Sequence, residues 1–288
     1  MIYLLYNPKS NNEHNDINII LKGKSETNVT SISLLDHDVK ELLPKLTESD
    51  KVLLCGGDGT ISRFATNCYG YEFKCPVCVL KSGTGNDFVR DINENETSKI
   101  EKLTDIRPYL KNLPTVEVKG IKCKFINGIG FGLDGEVCRI ADEQKQISKK
   151  KINYTAIALK LLAKLYKFPN AKVTVDGVTR EYKKVWLASA MKGRYYGGGM
   201  MVSPTQNRDS DVFSVMVFHG GTRLKALSIF PSIYKGGHVK HKEMVDIFKG
   251  KHVKVEFDIP TALQIDGETV KDVLTYTAYM DGYENFGN

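Results

Sequence analysis

The sequence predicts two domains, an N-terminal α/β domain built on a parallel sheet and a β-rich domain after it. Two observations carry this. In the first third, short apolar runs (Ile2-Tyr3-Leu4-Leu5-Tyr6, Val52-Leu53-Leu54-Cys55 and Val77-Cys78-Val79-Leu80) alternate with polar or helical spacers, the rhythm of buried parallel strands. From about Val116 the pattern changes to strands such as Val173-Thr174-Val175, Val185-Trp186-Leu187-Ala188, Phe213-Ser214-Val215-Met216-Val217 and Val253-Lys254-Val255-Glu256-Phe257, separated by turn signals. A chain of 288 residues has enough material for both cores.

Composition narrows the setting. There are 41 Lys and Arg against 34 Asp and Glu, a net charge of +7, a mild excess that suits an anionic nucleotide or an anionic membrane surface equally well. No uncharged apolar run of about 18 residues is present, and the first residues lack the basic start and small-residue cleavage site of a signal peptide. A cytoplasmic protein is expected, with no nucleic acid among its partners. The six cysteines, Cys55, Cys68, Cys75, Cys78, Cys123 and Cys138, lie within apolar patterns and read as small core side chains. Cys75 and Cys78 have CxxC spacing, but no second pair follows at zinc-finger distance, so the structural reading is preferred.

One amphipathic helix is expected over residues 153–168, with Ile157, Leu161, Leu162 and Leu165 on one face and Lys160, Lys164 and Lys167 on another. Such a helix can lie on a membrane, yet more often packs on its own domain with the lysines solvated. Packing is preferred here.

Three segments carry chemistry. Gly56-Gly57-Asp58-Gly59-Thr60 follows a strand and opens a helix with Ile61, Phe64, Ala65 and Cys68 at helical spacing, stopped at Gly70. Glycines at such a turn let backbone amides and the helix N-terminus approach phosphate oxygens closely. Bare phosphate would repel Asp58, which suggests Mg²⁺ or a positioned water between them. The plainer alternative is a tight turn with an Asp cap. Gly83-Thr84-Gly85-Asn86-Asp87 is a second strand-to-helix turn, in which Thr84 can donate to phosphate and Asn86 and Asp87 can cap the helix or face a nucleotide. Two such turns on neighbouring parallel strands share one carboxyl edge.

The third segment is Ile265-Asp266-Gly267-Glu268. On an extended backbone Asp266 and Glu268 share a face and can supply the base and the acidic companion that phosphoryl transfer to an alcohol requires. The alternative is an Asp-Gly hairpin turn. Asp176-Gly177 offers a comparison: the residue two beyond that Asp is Val178, so it reads only as a turn. Gly130-Phe131-Gly132-Leu133-Asp134-Gly135 matches GxGxxG, but no strand ending in an acid follows about 20 residues on, which argues against a dinucleotide fold. The P-loop pattern is absent, and His238 and His241 sit among lysines and read as a solvated basic loop.

These segments, with Asn127-Gly128-Ile129-Gly130-Phe131-Gly132-Leu133-Asp134 and Tyr195-Tyr196-Gly197-Gly198-Gly199-Met200, occur in an order that resembles the diacylglycerol kinase catalytic-domain family, over nearly the whole chain. The resemblance implies an α/β nucleotide-binding domain over residues 1–115, rejoined by a tail at 271–288, and a β-sandwich-like lipid domain over 116–270, with the active site between them. It implies ATP with Mg²⁺ as donor and a lipid hydroxyl as acceptor, met at the bilayer surface by peripheral association. A homodimer is compatible with it. Position by position, Asn7, Pro8, Lys9, Ser10 and Asn11 resemble the first nucleotide loop, and Gly56, Gly57, Asp58, Gly59, Thr60, Ile61, Ser62 and Arg63 the phosphate loop and helix start. Gly83, Thr84, Asn86 and Asp87 belong to the second loop, with Thr84 as a phosphate contact. Glu268 resembles the general base and Asp266 its companion, concerned with Mg²⁺ and orientation.

Three segments depart from the family pattern. Asn11 follows Ser10 where Gly is usual, and Lys81 stands where Pro is usual. Bacterial members hold a structural Mg²⁺ with an Asp-Asp-Gly segment, whereas this chain reads Asp209-Ser210-Asp211. The implied site then uses Asp209, or alternatively Asp211, with the main-chain carbonyls of Phe213 and Val215. Two rivals remain: an NAD kinase, which shares Gly-Gly-Asp-Gly-Thr, and a lipid- or nucleotide-binding protein without catalysis.

Overall fold

The computed structural model describes residues 1–8, 29–81, 86–93, 103–147 and 152–284, and the chain divides into two compact units, Met1–Lys111 and Asn112–Asn288. In the first unit, strands β1 (Ile2–Tyr6), β2 (Val29–Ser33), β3 (Lys51–Gly56), β4 (Val77–Lys81) and β5 (Thr104–Asp105) form a sheet in the order β2-β1-β3-β4-β5. The first four are parallel and β5 runs against β4. Leu4, Leu5, Val52, Leu53, Leu54, Val77 and Val79 are all buried, as continuous apolar strands in a covered parallel sheet must be. Helix α1 (Asp58–Cys68) lays Ile61, Phe64, Ala65 and Cys68 into the core, and Gly70, at φ +81°, follows its end. A shorter helix, α2 (Asp87–Asn93), follows β4.

The strand order places a topological switch between β1 and β3, because the chain leaves β1 for β2 on one side and returns to β3 on the other. Ligands of open α/β sheets bind beyond the carboxyl ends of the strands at that point. Residues 7–8 and 56–60 emerge there.

The second unit is a ten-stranded antiparallel sheet. Its main path is β15 (Val245–Gly250), β14 (Phe213–His219), β11 (Val185–Met191), β8 (Gly128–Gly132), β16 (His252–Ile265), β17 (Glu268–Tyr279), β6 (Thr115–Val118) and β7 (Ile121–Lys124). The hairpin of β9 (Ala171–Val175) and β10 (Val178–Tyr182) joins at β16, and β12 (Tyr195–Tyr196) pairs β13 (Met200–Met201) apart from it. β16 changes partner along its length, from β9 at 253–257 to β8 at 263–265. The register against β17 shifts between Glu256 and Thr261, a stretch containing Pro260, which has no N–H for the ladder.

Both faces of the central strands are covered. On β14, Phe213, Val215 and Val217 enter a core with Phe131, Val173, Val255 and Leu263, while Met216 and Phe218 face a second core under helices α3 (Leu133–Ile147), α4 (Tyr154–Lys160) and α5 (Arg223–Ile229). In the first core Phe131 stacks on Phe257 with ring centres 3.8 Å apart. Full burial of each such ring stabilises by about 2–3 kcal/mol.

Ile157, Leu161 and Leu162 lie in the second core, so the amphipathic stripe packs on its own unit. The helix is shorter than the sequence pattern implies. It passes into a π turn at Leu161–Leu165 and ends at Tyr166, because Pro169 favours an extended residue before it. Residues 271–279 run within β17 between β16 and β6, and the amide of Met280 donates to the Lys251 carbonyl. Val273, Tyr276, Ala278 and Met280 point into the first core of the second unit, which holds the strand there.

Candidate functional site

The parallel sheet of the first unit brings three chain segments to one edge: Asn7 and Pro8 after β1, residues 57–60 after β3, and Asn86 and Asp87 after β4. The calls at Lys9, Ser10, Asn11, Gly83 and Thr84 lie outside the described residues. Gly56 sits at φ +153°, and a Cβ there would overlap the Thr60 side chain, so the first turn requires glycine at this point. At Gly57, the N-cap of α1, a Cβ would meet nothing within 4 Å, so the helix N-terminus opens onto space. That is the arrangement in which amides and the helix dipole hold an anion. The half-buried Gly57 and the exposed Gly59 and Arg63 border this edge, with Ser62 half-buried beside them. Ile61 is wholly buried and Thr60 nearly so, and both serve the packing of α1.

Asp58 does something other than the sequence suggests. Its two carboxylate oxygens accept the amides of Asp87 at 2.8 Å and Phe88 at 3.0 Å. The carboxylate ties the first glycine turn to the start of α2, which removes the need for a metal or water to explain an acid beside phosphate. Asn86 completes the joint by accepting the Val89 amide on its Oδ1 at 3.0 Å, a helix cap. Among the described residues, the buried Nδ2 of Asn86 has no partner.

In the second unit, Asp266-Gly267 is a two-residue hairpin turn with φ +46° and +95°, and Ile265 pairs with Glu268 across it. Positive φ at both central residues marks a type I′ turn, for which Asp-Gly is a preferred pair. Asp266 and Glu268 therefore do not share an extended face. The Asp266 carboxylate, 8% exposed, accepts the amides of Ile126 at 2.7 Å, Asn127 at 2.9 Å and Gly128 at 3.0 Å, fastening the turn to the start of β8. Asp176-Gly177 is the same turn, with φ +45° and +80°, and the Asp176 carboxylate likewise accepts the amides of Lys251 at 2.9 Å and His252 at 2.8 Å. What sets the two hairpins apart is Glu268, which is exposed at the head of β17. Beside it, Thr269 donates to Asp142 of α3 at 2.8 Å, and Gly267 donates to Gln264 at 2.7 Å. Burial pushes the Cys138 thiol on α3 up to about 12, with smaller contributions from the nearby carboxylates of Asp134, Asp142 and Glu268.

The segment that imitates a dinucleotide loop is β8 running into α3. Gly130 lies where a Cβ would overlap the Asp134 carboxylate, and the backbone of Ala262 excludes a Cβ at Gly135. Asp134 is a buried acid that sequence reasoning passed over. It accepts the Gly135 amide at 3.0 Å, and burial pushes its carboxyl above the usual range while Tyr196 and Gln264 act against the shift. The three glycines between Tyr196 and Met200 all have positive φ, which makes the turn joining β12 to β13. His238 is buried, and its ring Nε2 meets the Val202 carbonyl at 3.0 Å, so it does not belong to a solvated loop.

The residues assigned to a structural Mg²⁺ do not fit one. Asp209 is exposed. Val215 lies in β14 between β11 and β15, where strand pairing occupies its main chain. The Ser210 carbonyl accepts the ammonium of Lys192 at 2.7 Å, the Val212 carbonyl accepts Gln206 at 2.9 Å and the Ser210 hydroxyl at 2.8 Å, and Asp211 pairs with Lys251. Among the described residues no cluster of three His, Cys, Asp or Glu side chains could hold a metal.

Comparison with known proteins agrees with this architecture. Residues 1–115 match the diacylglycerol kinase catalytic domain, and residues 127–278 match the YegS C-terminal NAD kinase beta sandwich-like domain. This chain belongs to the diacylglycerol kinase catalytic-domain family. A diacylglycerol kinase of Mycobacterium tuberculosis is 27% identical over 226 residues, spanning 76% of this chain and 72% of that protein. The crystal structure of a diacylglycerol kinase from Bacillus anthracis superposes with a TM-score of 0.62 at 18% identity, covering 96% of this chain and 93% of that one, which shows the shared fold. The family assigns the chain to the lipid kinases and makes ATP the expected phosphoryl donor. Among the described residues, no helix is long and apolar enough to cross a membrane.

Proposed function

We propose that this chain transfers the γ-phosphoryl group of ATP to the hydroxyl of a diacylglycerol-like lipid at a bilayer surface. The observation that carries the reading is the joined edge of the first unit, where Asp58 fastens the Gly56–Thr60 turn to Asp87 and Phe88 beside the switch point of a parallel sheet. An open helix N-terminus on such an edge suits the phosphates of a nucleotide. The nucleotide enters as its magnesium complex, a substrate.

The exposed Glu268 accepts the proton of the lipid hydroxyl as its oxygen attacks the γ-phosphorus, and the bond to the β-phosphate oxygen breaks to release ADP. Asp266 acts through the backbone, holding the turn that presents Glu268. The test is incubation with γ-labelled ATP and a total lipid extract, with purified diacylglycerol and NAD in parallel. Label in a phospholipid supports the proposal, and label only in NADP would refute it. Glu268→Gln should abolish transfer while melting temperature and ATP binding stay at the wild-type value. Full activity in that variant would remove Glu268 from the mechanism.

A further inference from the structure

The second unit keeps a buried cation beside the Asp209-Ser210-Asp211 segment, to which the family resemblance assigns a metal. Lys192 is 1% exposed, and its ammonium donates to the Ser210 carbonyl at 2.7 Å. Around it the loop at 203–212 is closed from within. The Gln206 side-chain amide donates to the carbonyls of Asn207 at 3.3 Å and Val212 at 2.9 Å, and its Oε1 accepts the Ser214 hydroxyl at 2.7 Å. The Ser210 hydroxyl bridges the carbonyl and amide of Val212 at 2.8 and 3.1 Å, which an aspartate, with acceptors alone, could not do.

The same brace reaches the Glu268 hairpin. The amides of Lys192 and Gly193 donate to the Asn127 carbonyl at 2.9 and 3.0 Å, and the buried Arg208 donates to the Ile126 carbonyl and to Asn127 Oδ1. Asp266 accepts the amides of these same residues from the other side. A compact ammonium with three donors can gather carbonyl oxygens much as a small hard cation does.

We propose that the Lys192 ammonium stands in for a divalent cation, bracing the loop at 203–212 so that this unit holds its hairpin without a metal. Burial and the neighbouring Arg208 charge bring the Lys192 amine down to about 8, with the carboxylates of Asp209 and Asp211 acting in the opposite direction.

The experiment uses the nucleotide-free full chain and does not depend on catalysis. Thermal melting is followed in EDTA and in millimolar MgCl₂, and Mn²⁺ is titrated by electron paramagnetic resonance. Equal wild-type melting temperatures and no tightly bound Mn²⁺ are expected. A wild-type melting temperature that climbs with MgCl₂ and loses the climb in Asp209→Ala would overturn the proposal, and needs no Lys192 variant to fold. Lys192→Met should lower the melting temperature by about 5–10 °C, and an unchanged value would also overturn it. Combining Lys192→Met with Ser210→Asp should produce a protein whose melting temperature rises with MgCl₂.

Discussion

Replacing Asp58 tests whether the first glycine turn and the start of α2 form one joint. Its carboxylate accepts two backbone amides at 2.8 and 3.0 Å. Hydrogen bonds to a charged acceptor contribute about 1.5–3 kcal/mol each, and Asp58 is half-buried, so the lower end applies. Asp58→Ala should therefore cost roughly 3 kcal/mol, and Asp58→Asn, which keeps one carbonyl oxygen, roughly 1–2 kcal/mol. At about 4 °C per kcal/mol for a unit of this size, the melting transition of residues 1–111 falls by about 12 °C and 6 °C respectively. Hydrogen exchange gives the sharper assay, because the Asp87 and Phe88 amides lose their acceptor while the interior of α1 keeps its ladder. Both amides should exchange much faster in Asp58→Ala, and ATP affinity should fall with them. Unchanged protection of those amides, together with an unchanged melting temperature, would refute the tie and return Asp58 to a purely chemical role.

The remaining predictions concern the second unit. Asp266→Ala removes the acceptor for three buried amides and should cost about 3–5 kcal/mol, read by urea denaturation, whereas Asp266→Asn should retain part of that stability. His238 is pushed down to about 4 by burial, so between pH 6.5 and 4 the unfolded chain binds a proton that the folded chain does not. Its contribution is fully present above the unfolded value near 6.5 and falls as pH drops toward 4, by on the order of 3 kcal/mol. In His238→Phe the acid side of the stability curve should flatten across that window, as measured by denaturation at a series of pH values.

The sheet of the first unit was legible because its strands are buried on both faces and so read as unbroken apolar runs, as in Val52-Leu53-Leu54. Its first glycine turn was legible because Gly56 has a conformation and a close neighbour that exclude other residues. The direction of the Asp58 carboxylate was not, since it depends on residues 58 and 87 meeting across two strands. At Asp266 the local Asp-Gly signal, a turn, describes the backbone better than the extended alternative. Helix α3 was hidden by its opening glycines, although Leu133, Val137 and Ala141 carry its buried stripe in plain view. For His238 the neighbouring lysines suggested solvent, while the ring turns inward to a carbonyl contributed from 36 residues away, a pairing no local window contains.

The twin Asp-Gly hairpins give the chain an internal blank. Each bends through the same left-handed pair of residues, and each fastens its aspartate to the amides of an adjoining segment, yet one is followed by Glu268 and the other by Val178. The aspartate and glycine of the motif are thus grammar shared by any well-anchored hairpin. Under the function proposed above, information about function resides in the one letter that follows, and in a comparison between chains a change at Asp266 would report on architecture, while a change at Glu268 would report on vocation.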